Sequence, residues 1–222
     1  MKLIFLGAPG VGKGTYASRI SSQLGIAHIS TGDLLRDEVK NGTQLGKEAK
    51  GYMERGDLVP DALVNRILKE RLSQKDCSKG FILDGFPRTL NQAKELEKIT
   101  KIDLVVNINL KKDLLIKKLA ARRICRGCGN IYNVADIREG GIHLPPLLPK
   151  NEGVCDACGC ELYQRPDDNT KVIEERFAAY EKQTKPLIAF YRKKRLLQDI
   201  EVVGGPDMMV PKILELINKN VM

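Results

Sequence analysis

A glycine-rich segment near the start of the chain has the residue types and spacing of a phosphate-binding loop. It reads Gly7-Ala-Pro-Gly-Val-Gly-Lys13-Gly-Thr15 and lies between a short apolar run and a helical pattern from Lys13 to Leu24. Glycines allow a tight turn whose backbone N–H groups point at one anion, and the helix N-terminus adds partial positive charge. Lys13 can then reach the β- and γ-phosphates of a nucleotide. An ordinary glycine turn is the alternative, but the lysine favours a polyphosphate site, with the usual hydroxyl displaced by one residue to Thr15.

The segment Phe81-Ile-Leu-Asp84-Gly-Phe-Pro-Arg88 offers a metal-binding carboxylate and a phosphate-binding guanidinium. An aspartate that ends an apolar strand beside a phosphate loop can hold the water shell of Mg²⁺, and a turn-capping role is the alternative. Arg88 follows a proline, and guanidinium groups suit phosphate recognition. Other arginines stand at the boundaries of two inserted segments, which favours phosphate contacts over ordinary surface positions. They are Arg36, Arg122, Arg123, Arg165 and Arg176.

Four of the six cysteines form two C-x-x-C pairs, Cys125/Cys128 and Cys155/Cys158. Two such pairs bring four thiolates to one tetrahedral metal ion, for which zinc is best suited and iron remains an alternative. A site closed by four thiolates has a structural role, and here it replaces the core that this cysteine-rich segment lacks. Redox pairs or free buried thiols are the other interpretations. Cys160 could compete with Cys158, but the spacing favours Cys158, and we expect the remaining Cys77 to be a packed or exposed thiol.

Short apolar runs predict the strands of a parallel sheet buried on both faces. They are Lys2–Leu6, Ala27–Ile29, Gly80–Leu83, Leu104–Leu110 and Glu201–Val203. Helical patterns alternate with them, which predicts an α/β fold with a doubly wound five-stranded sheet. Ligands in such folds bind at the carboxyl ends of the strands, where the phosphate loop, Thr31 and Asp84 fall. Two helical stretches follow Thr31, which we expect to cap the first of them, and Pro186 predicts a kink or break in a long helix from Lys171 to Lys194.

The composition is that of an ordinary globular protein of 222 residues, 42% hydrophobic and 29% charged. No apolar run approaches the about 20 residues of a membrane span, and the first apolar run is too short for a secretory signal. We therefore expect a cytoplasmic protein without a membrane partner. The net charge of +9 suits polyphosphates as well as nucleic acid. With no Trp and 5% aromatic residues, stacking on single-stranded nucleic acid is disfavoured.

These motifs, in this order, resemble the adenylate kinases, in the long form whose lid holds a zinc ion. The resemblance spans nearly the whole chain, and the family carries the same Gly-Lys-Gly-Thr sequence in its loop. The matching stretches are Gly7–Thr15, Ser30–Arg36, Gly56–Pro60, Leu83–Arg88 with Gln92, Ala121–Cys125, and Gln164–Asp168 with Arg176. The resemblance implies a core P-loop domain (1–29, 60–120 and 169–222), a small helical insertion that binds the nucleoside monophosphate (30–59) and a zinc-binding lid (121–168).

The resemblance also implies a set of ligands for each nucleotide. ATP would be bound by Gly10, Val11, Gly12, Lys13, Gly14, Thr15, Arg122, Ile131 and Tyr132, and by the backbone of the Pro206-Asp207 turn. AMP would be bound by Thr31, Arg36, Asp57, Leu58, Val59, Gly85, Phe86, Pro87, Arg88 and Gln92, the last at the adenine edge. Arg165 and Arg176 would bridge the phosphates of both nucleotides. Many members carry arginine where Lys118 stands, so one phosphate contact is expected to be a point charge here.

The implied activity is ATP + AMP ⇌ 2 ADP, with Mg²⁺ waters ordered by Asp84 and a structural Zn²⁺ at the four cysteines. No pattern in the sequence indicates an oligomer, and we expect a monomer. The implied catalytic residues are Lys13, Asp84, Arg88, Arg122, Arg165 and Arg176, with Arg36 as a further cation. A kinase that acts on another nucleoside monophosphate is the nearest alternative. A zinc-knuckle nucleic-acid binder that hydrolyses ATP and an ATP sensor without turnover are alternatives of other classes.

Overall fold

The computed structural model describes residues 1–221; Met222, the last residue of the expected core domain, lies outside the described residues. In chain order the elements are β1 (Lys2–Leu6), α1 (Lys13–Leu24), β2 (Ala27–Ser30), α2 (Thr31–Lys40), α3 (Gln44–Arg55), α4 (Asp61–Leu72), β3 (Phe81–Asp84), α5 (Leu90–Ile99), β4 (Leu104–Asn109), α6 (Lys112–Ala120), β5 (Arg122–Cys125), β6 (Ile131–Asn133), β7 (Ile137–Glu139), β8 (Ile142–Leu144), β9 (Leu162–Tyr163), α7 (Thr170–Ala179), α8 (Pro186–Lys193), β10 (Leu197–Glu201) and α9 (Pro206–Val221).

A five-stranded parallel sheet in the order β10-β4-β1-β3-β2 forms the centre of the molecule, as the sequence predicts. Side chains alternate across it because successive residues of a strand point to opposite faces. Leu3 and Phe5 belong to the apolar cluster on one face, and Ile4 and Leu6 belong to the cluster on the other. Helices cover both clusters, which explains the nearly continuous apolar runs of the central strands.

The fifth strand was wrongly placed by the sequence pattern, since it spans Leu197–Glu201 rather than Glu201–Val203. It lies at the edge of the sheet and pairs with β4 alone. Three of its five side chains are polar, so the apolar signal is weak. Asp199 shows how the polar residues are accommodated: its carboxylate accepts hydrogen bonds from Asn107 and Arg192, both at 2.7 Å.

The helix that follows the phosphate loop has the bounds that the sequence predicts, Lys13–Leu24. Gly12 precedes it with φ 108° and Gly25 ends it with φ 62°, conformations that favour glycine. Helices α2 and α3 form the expected helical pair after β2. The N-cap of α2 is Ser30, whose hydroxyl accepts a hydrogen bond from the Asp33 amide, and not Thr31 as expected from the sequence. The Thr31 hydroxyl is used elsewhere, in the site described below.

The long helical pattern near the C-terminus is interrupted as expected. Helix α7 ends at Ala179, a π-helical turn covers Tyr180–Thr184, and α8 starts at Pro186, where the missing N–H costs nothing. No helix within residues 1–221 is long and apolar enough to cross a membrane.

The cysteine-rich segment forms two small antiparallel sheets, of which the sequence indicated only the strand at residues 131–133. One has the order β6-β5-β9 and the other is the β7–β8 hairpin. The three-stranded sheet has its own small cluster of buried residues, Cys125, Tyr132, Cys155 and Leu162. The domain boundaries expected from the resemblance remain predictions.

Candidate functional site

The phosphate loop lies at the carboxyl end of β1 and opens into a large cleft. The Lys13 ammonium donates hydrogen bonds to the carbonyls of Gly7 at 2.8 Å and Ala8 at 3.0 Å, which hold it across its own loop. Burial lowers the pKa of Lys13 to about 8, with neighbouring arginines adding repulsion and Asp84 opposing it. An anion in the loop would remove this penalty, since its charge favours the protonated lysine.

Asp84 ends β3 directly beside the loop, as the sequence predicts. Its Oδ2 lies 3.1 Å from where a Cβ on Gly14 would stand, so a side chain at that position would crowd the carboxylate. His28 Nε2 lies 3.7 Å from the same oxygen. Burial raises the pKa of Asp84, but the adjacent His28 and Lys13 outweigh it and hold the pKa below its ordinary value. The carboxylate is therefore ionised at neutral pH and suited to hard cations.

Seven arginines line the same cleft. Five of them have phosphate contacts assigned from the sequence, namely Arg36 of α2, Arg88 after β3, Arg122 of β5, Arg165 after β9 and Arg176 of α7. The other two are Arg19 of α1 and Arg126 after β5. Burial, reinforced by repulsion from neighbouring arginines, lowers the pKa of Arg88 to about 10 and that of Arg165 to about 9. Arg88 and Arg165 therefore remain charged at pH 7, and the cleft concentrates positive charge in a partly desolvated place.

Aspartates that sequence reasoning did not assign hold four of these arginines in position. Asp168, whose side chain is fully buried, accepts both Nε and Nη2 of Arg122 and also Nη1 of Arg176 at 3.2 Å. Asp167 pairs with Arg176 at 3.0 Å. Asp33 accepts from Arg36, and its Oδ1 lies 3.4 Å from Arg165 Nη2. In the sequence, the one indication of these partners was the Asp167-Asp168 pair, which lies between Arg165 and Arg176.

Arg165 is incompletely satisfied. Its Nε is buried without a hydrogen-bond partner among the described residues. A buried guanidinium N–H without an acceptor costs free energy, and a phosphate oxygen would supply the acceptor.

A smaller pocket opens between the helical pair and β3, and it is lined by most of the residues that the resemblance assigns to AMP. Phe86 is not among them, because its side chain is buried in the apolar core, and Pro87 and Arg165 line the large cleft instead. The Thr31 hydroxyl donates to the Gly85 carbonyl at 2.8 Å, which ties α2 to the loop after β3. Gln92 is buried; its Oε1 accepts from the Arg88 amide at 2.7 Å and its Nε2 donates to Asp61 at 2.7 Å. Asp61 was missed by sequence reasoning. The pocket is lined by Leu35, Met53, Asp57, Leu58, Val59, Val64, Gly85, Arg88 and Gln92 among others.

The lid segment (residues 121–168) reaches over the phosphate loop. Ile131 Cδ1 lies 3.3 Å from where a Cβ on Gly14 would stand, so Ile131 covers the loop. Tyr132 also lines the cleft, but its hydroxyl accepts from the Asp156 amide at 2.9 Å and lies 3.6 Å from Cys155 Sγ. Its polar end is therefore occupied within the lid.

The turn before α9 lines the far end of the cleft through Gly204, Gly205 and Pro206. The side chain of Asp207 does not join the cleft. It is exposed and pairs with Arg19 at 2.8 Å, which leaves only the backbone of this turn to face a ligand.

The cleft as a whole has a volume of about 1430 Å³. Sites for one drug-sized ligand measure about 300–1,000 Å³, so this cleft has room for more than one such molecule.

The four cysteines of the two C-x-x-C pairs converge, and their sulfur atoms all lie within 4.8 Å of one another. Cys125 and Cys158 are 3.3 Å apart, and Cys128 and Cys155 are 3.5 Å apart. A tetrahedral zinc with Zn–S bonds of about 2.3 Å holds its sulfurs about 3.8 Å apart, so the set fits such an ion. Cys160 is exposed and outside the set, as the spacing predicts, and Cys77 is a buried thiol.

Comparison with known proteins shows similarity to adenylate kinases over most of the chain. The family model described as adenylate kinase matches residues 5–196. An adenylate kinase of Archaeoglobus fulgidus is 50% identical over 90% of this chain and 90% of its own length. An adenylate kinase of Thermodesulfovibrio yellowstonii is 49% identical over 99% of this chain and 100% of its own length, and one of a Geobacillus species is 50% identical over 98% of each. The residues matched by the family model include every arginine that lines the cleft.

Proposed function

Because this chain belongs to the adenylate kinase family, we propose that it transfers the terminal phosphoryl group of ATP to AMP, reversibly and with Mg²⁺, to give two ADP. The observation that carries this proposal is that Lys13 and the five arginines assigned from the sequence line one cleft of about 1430 Å³, which has room for more than one drug-sized ligand. A single nucleotide would leave part of this cleft and part of its charge unused.

The donor would occupy the side of the phosphate loop. Backbone N–H groups from Gly10 to Thr15 would bind the phosphates at the start of α1, where the helix dipole also favours an anion. Lys13 would neutralise charge on the β- and γ-phosphates. Asp84 would order the waters of the Mg²⁺ that accompanies ATP, and the backbone at Pro206-Asp207 would border the adenine.

The acceptor would occupy the pocket beside α2. Arg36 and Arg88 would bind the AMP phosphate, and the residues from Asp57 to Val59 would border the sugar and base. Gln92 would read the adenine edge, with Asp61 holding its amide in orientation. Each of these polar groups already has a fixed partner, so little side-chain freedom is lost when AMP binds.

Phosphoryl transfer depends on positioning the two nucleotides in line and on stabilising the negative charge of the transferring group, more than on proton transfer. An ionised oxygen of the AMP phosphate would form a bond to the γ-phosphorus as the bond from that phosphorus to the β–γ bridging oxygen breaks. No protein base is required, because the attacking oxygen carries no proton at neutral pH. Lys13, Arg88, Arg122, Arg165 and Arg176 would stabilise the charge that spreads over the transferring group.

The lid segment would exclude water from the transferring group. Arg122 and Arg165 belong to this segment, so they complete the charge set only when it covers the loop, as Ile131 does here. Water that entered would compete with AMP for the phosphoryl group. Cys125, Cys128, Cys155 and Cys158 would hold a structural zinc ion that keeps the segment rigid.

We also propose a cytoplasmic monomer. All the charged residues of the cleft come from one chain, so no second copy is needed to complete it. Within residues 1–221 none of the six cysteines forms a disulfide, which suits a reducing compartment.

A coupled assay for ADP formed from ATP and AMP tests the proposal. Lys13→Ala and Arg88→Ala should each lower kcat/KM by at least about 10²-fold while circular dichroism shows an unchanged fold, as for single electrostatic donors in other active sites. Arg195→Ala, in the turn before β10, is a matched control that should leave the rate unchanged. Near-normal turnover by either cleft variant would contradict the assigned roles.

The same assay separates the alternatives. A kinase for another acceptor would turn over GMP, CMP or UMP faster than AMP. An ATP sensor would bind without turnover, and a nucleic-acid binder would show an affinity that falls steeply with salt.

A further inference from the structure

The β7–β8 hairpin belongs to the lid segment in sequence but to the core in packing. Ile137 and Leu144, which face each other in register, are both 4% exposed and lie in the apolar cluster that also contains Val202 and Val210. The zinc-binding part of the lid has a separate cluster of its own. The hairpin therefore bridges the two parts of the molecule, and nothing in the proposed transfer step uses it.

Two polar contacts also tie the hairpin to the core. Glu139 forms an ion pair with Lys117 of α6 at 2.8 Å. The backbone amide of His143 donates a hydrogen bond to the carbonyl of Val203 at 3.3 Å. Val203 directly precedes the turn that borders the far end of the cleft, so the hairpin is attached to that turn.

The hairpin continues directly into the wall of the cleft. Leu144 and Pro145 line it together with Gly204 and Gly205. A Cβ on Gly205 would lie 2.9 Å from Pro145 Cγ, so the proline ring packs on the glycine backbone. The far end of the cleft is thus closed by a contact between the lid segment and the turn before α9.

Backbone hydrogen bonds connect the base of the hairpin to the zinc-binding part of the lid segment. Asn133 of β6 and Leu147 exchange two hydrogen bonds, at 3.0 and 2.8 Å. Any displacement of β6 from the phosphate loop must carry residues 134–146 with it or break these bonds.

We propose that the β7–β8 hairpin is a positioning element for the donor nucleotide: docked on the core, it holds the turn at residues 203–205 against Pro145 and closes the base end of the donor site. It leaves the core when the lid segment leaves the phosphate loop. This inference rests on the proposed function, since the donor is the nucleotide at the phosphate loop. Binding of the donor and docking of the hairpin then favour each other, whereas the acceptor pocket beside α2 is unaffected.

Steady-state kinetics with two hairpin variants tests the proposal. Replacing residues 138–143 by a two-residue Asn-Gly turn reconnects Ile137 and Leu144, which already face each other in register. This shortened hairpin lacks the contacts to Lys117 and Val203 and keeps both buried side chains. The KM for ATP should rise about tenfold and the KM for AMP should stay within about twofold, from the loss of one hydrogen bond and one ion pair.

Glu139→Gln removes only the ion pair to the core and should raise the KM for ATP by about two- to fivefold. Glu161→Gln is its control, because the Arg126–Glu161 pair at 3.0 Å is also solvent-exposed but lies wholly within the lid segment. The control should leave both KM values unchanged. Exchanging the charges, with Lys117→Glu and Glu139→Lys together, should restore the wild-type KM for ATP.

Hydrogen exchange of the wild-type protein gives a second measurement. The amides of residues 137–144 should be protected when a non-hydrolysable ATP analogue binds and should remain unprotected with AMP alone. Equal protection in the free and bound protein would overturn the proposal and make the hairpin a fixed part of the core. Parallel increases of both KM values in the shortened variant would also overturn it. Absence of ADP formation by the wild-type protein would refute the proposed function instead, and the exchange experiment would still report on the hairpin.

Discussion

Replacement of Lys118 by methionine should stabilise the nucleotide-free protein while weakening its binding of ATP. Lys118 lies on α6, and its ammonium borders the cleft beside the phosphate loop. Within residues 1–221 its one hydrogen-bond acceptor is the Val11 carbonyl, at 3.5 Å. Burial lowers the pKa of Lys118 from 10.5 to about 8. The free protein thus holds a poorly compensated charge where a phosphate would bind.

The size of the effect follows from that pKa. At about 1.4 kcal/mol for each tenfold change in proton affinity, the shift corresponds to about 3 kcal/mol of unfavourable burial. Because the ammonium borders an open cleft, solvent screening reduces this, and we expect a gain of about 1–3 kcal/mol in the free energy of unfolding. Methionine fills similar space and has a similar helix propensity. For a chain of this length the Tm should rise by about 3–10 °C.

The pH dependence of the free energy of unfolding should show whether the buried charge of Lys118 causes the difference in stability. The folded pKa of Lys118 lies below the unfolded value, so the unfolded state binds more protons between about pH 8 and pH 10.5. The wild-type protein therefore loses its penalty as pH rises through this window. The stability difference between Lys118→Met and wild type should be largest below pH 8 and should close towards pH 10.5.

Thermal unfolding at pH 7 and pH 10, with and without ATP, measures this difference. Lys118→Arg is the control, because arginine keeps its charge and should give no stabilisation. The KM for ATP of the methionine variant should rise about tenfold, as expected for one charged hydrogen bond. A Lys118→Met protein that is less stable than wild type at pH 7, or a difference independent of pH, would refute the reasoning.

Three further substitutions test the metal site, the buried ion pairs and the acceptor pocket. Metal analysis should find about one zinc per chain. Cys125→Ser should lose the zinc and have a lower Tm, whereas Cys160→Ser should keep both the zinc and the Tm. A metal-free protein with an unchanged Tm would contradict the structural role. Asp168→Asn removes the buried partner of two arginines at a cost of about 3–5 kcal/mol, so calorimetry should show a Tm lower by about 6–15 °C, and a fall below about 3 °C would show that the pairs contribute little. Asp61→Asn should raise the KM for AMP about tenfold, through a misoriented Gln92, and leave the KM for ATP unchanged; equal changes in both would exclude a role confined to the acceptor.

The parts of the fold that could be predicted from the sequence depend on local signals. The phosphate loop and α1 follow from glycine spacing and helical periodicity over residues 7–24. The convergence of Cys125, Cys128, Cys155 and Cys158 follows from their C-x-x-C spacing, which brings the two sulfurs of each pair together. The central strands follow from their burial on both faces, and the same reasoning failed at Leu197–Glu201 because an edge strand keeps polar side chains.

The parts that could not be predicted depend on contacts between distant residues. Asp33 meets Arg165 across 132 positions of sequence, and Gln92 meets Asp61 across 31. The Thr31 hydroxyl was expected to cap α2, but the fold brings Gly85 within 2.8 Å and Ser30 caps instead. The sequence does not distinguish an arginine that is buried beside an acidic partner from an arginine that is exposed to solvent. The two differ only in how far the folded chain removes them from water.

The same arrangement of charges accounts for both the stability of the free protein and its readiness to bind phosphate. Asp33, Asp167 and Asp168 satisfy the outer faces of the arginines, whereas Lys13 and the Arg165 Nε have only backbone acceptors or none among the described residues. We infer that bound phosphates add acceptors to the set and do not displace the aspartates, so the arginines keep their orientation during transfer. Removing an aspartate should then disorder an arginine and lower kcat, whereas removing Lys118 should act on the KM for ATP, and this difference in kinetic parameters separates orientation from charge.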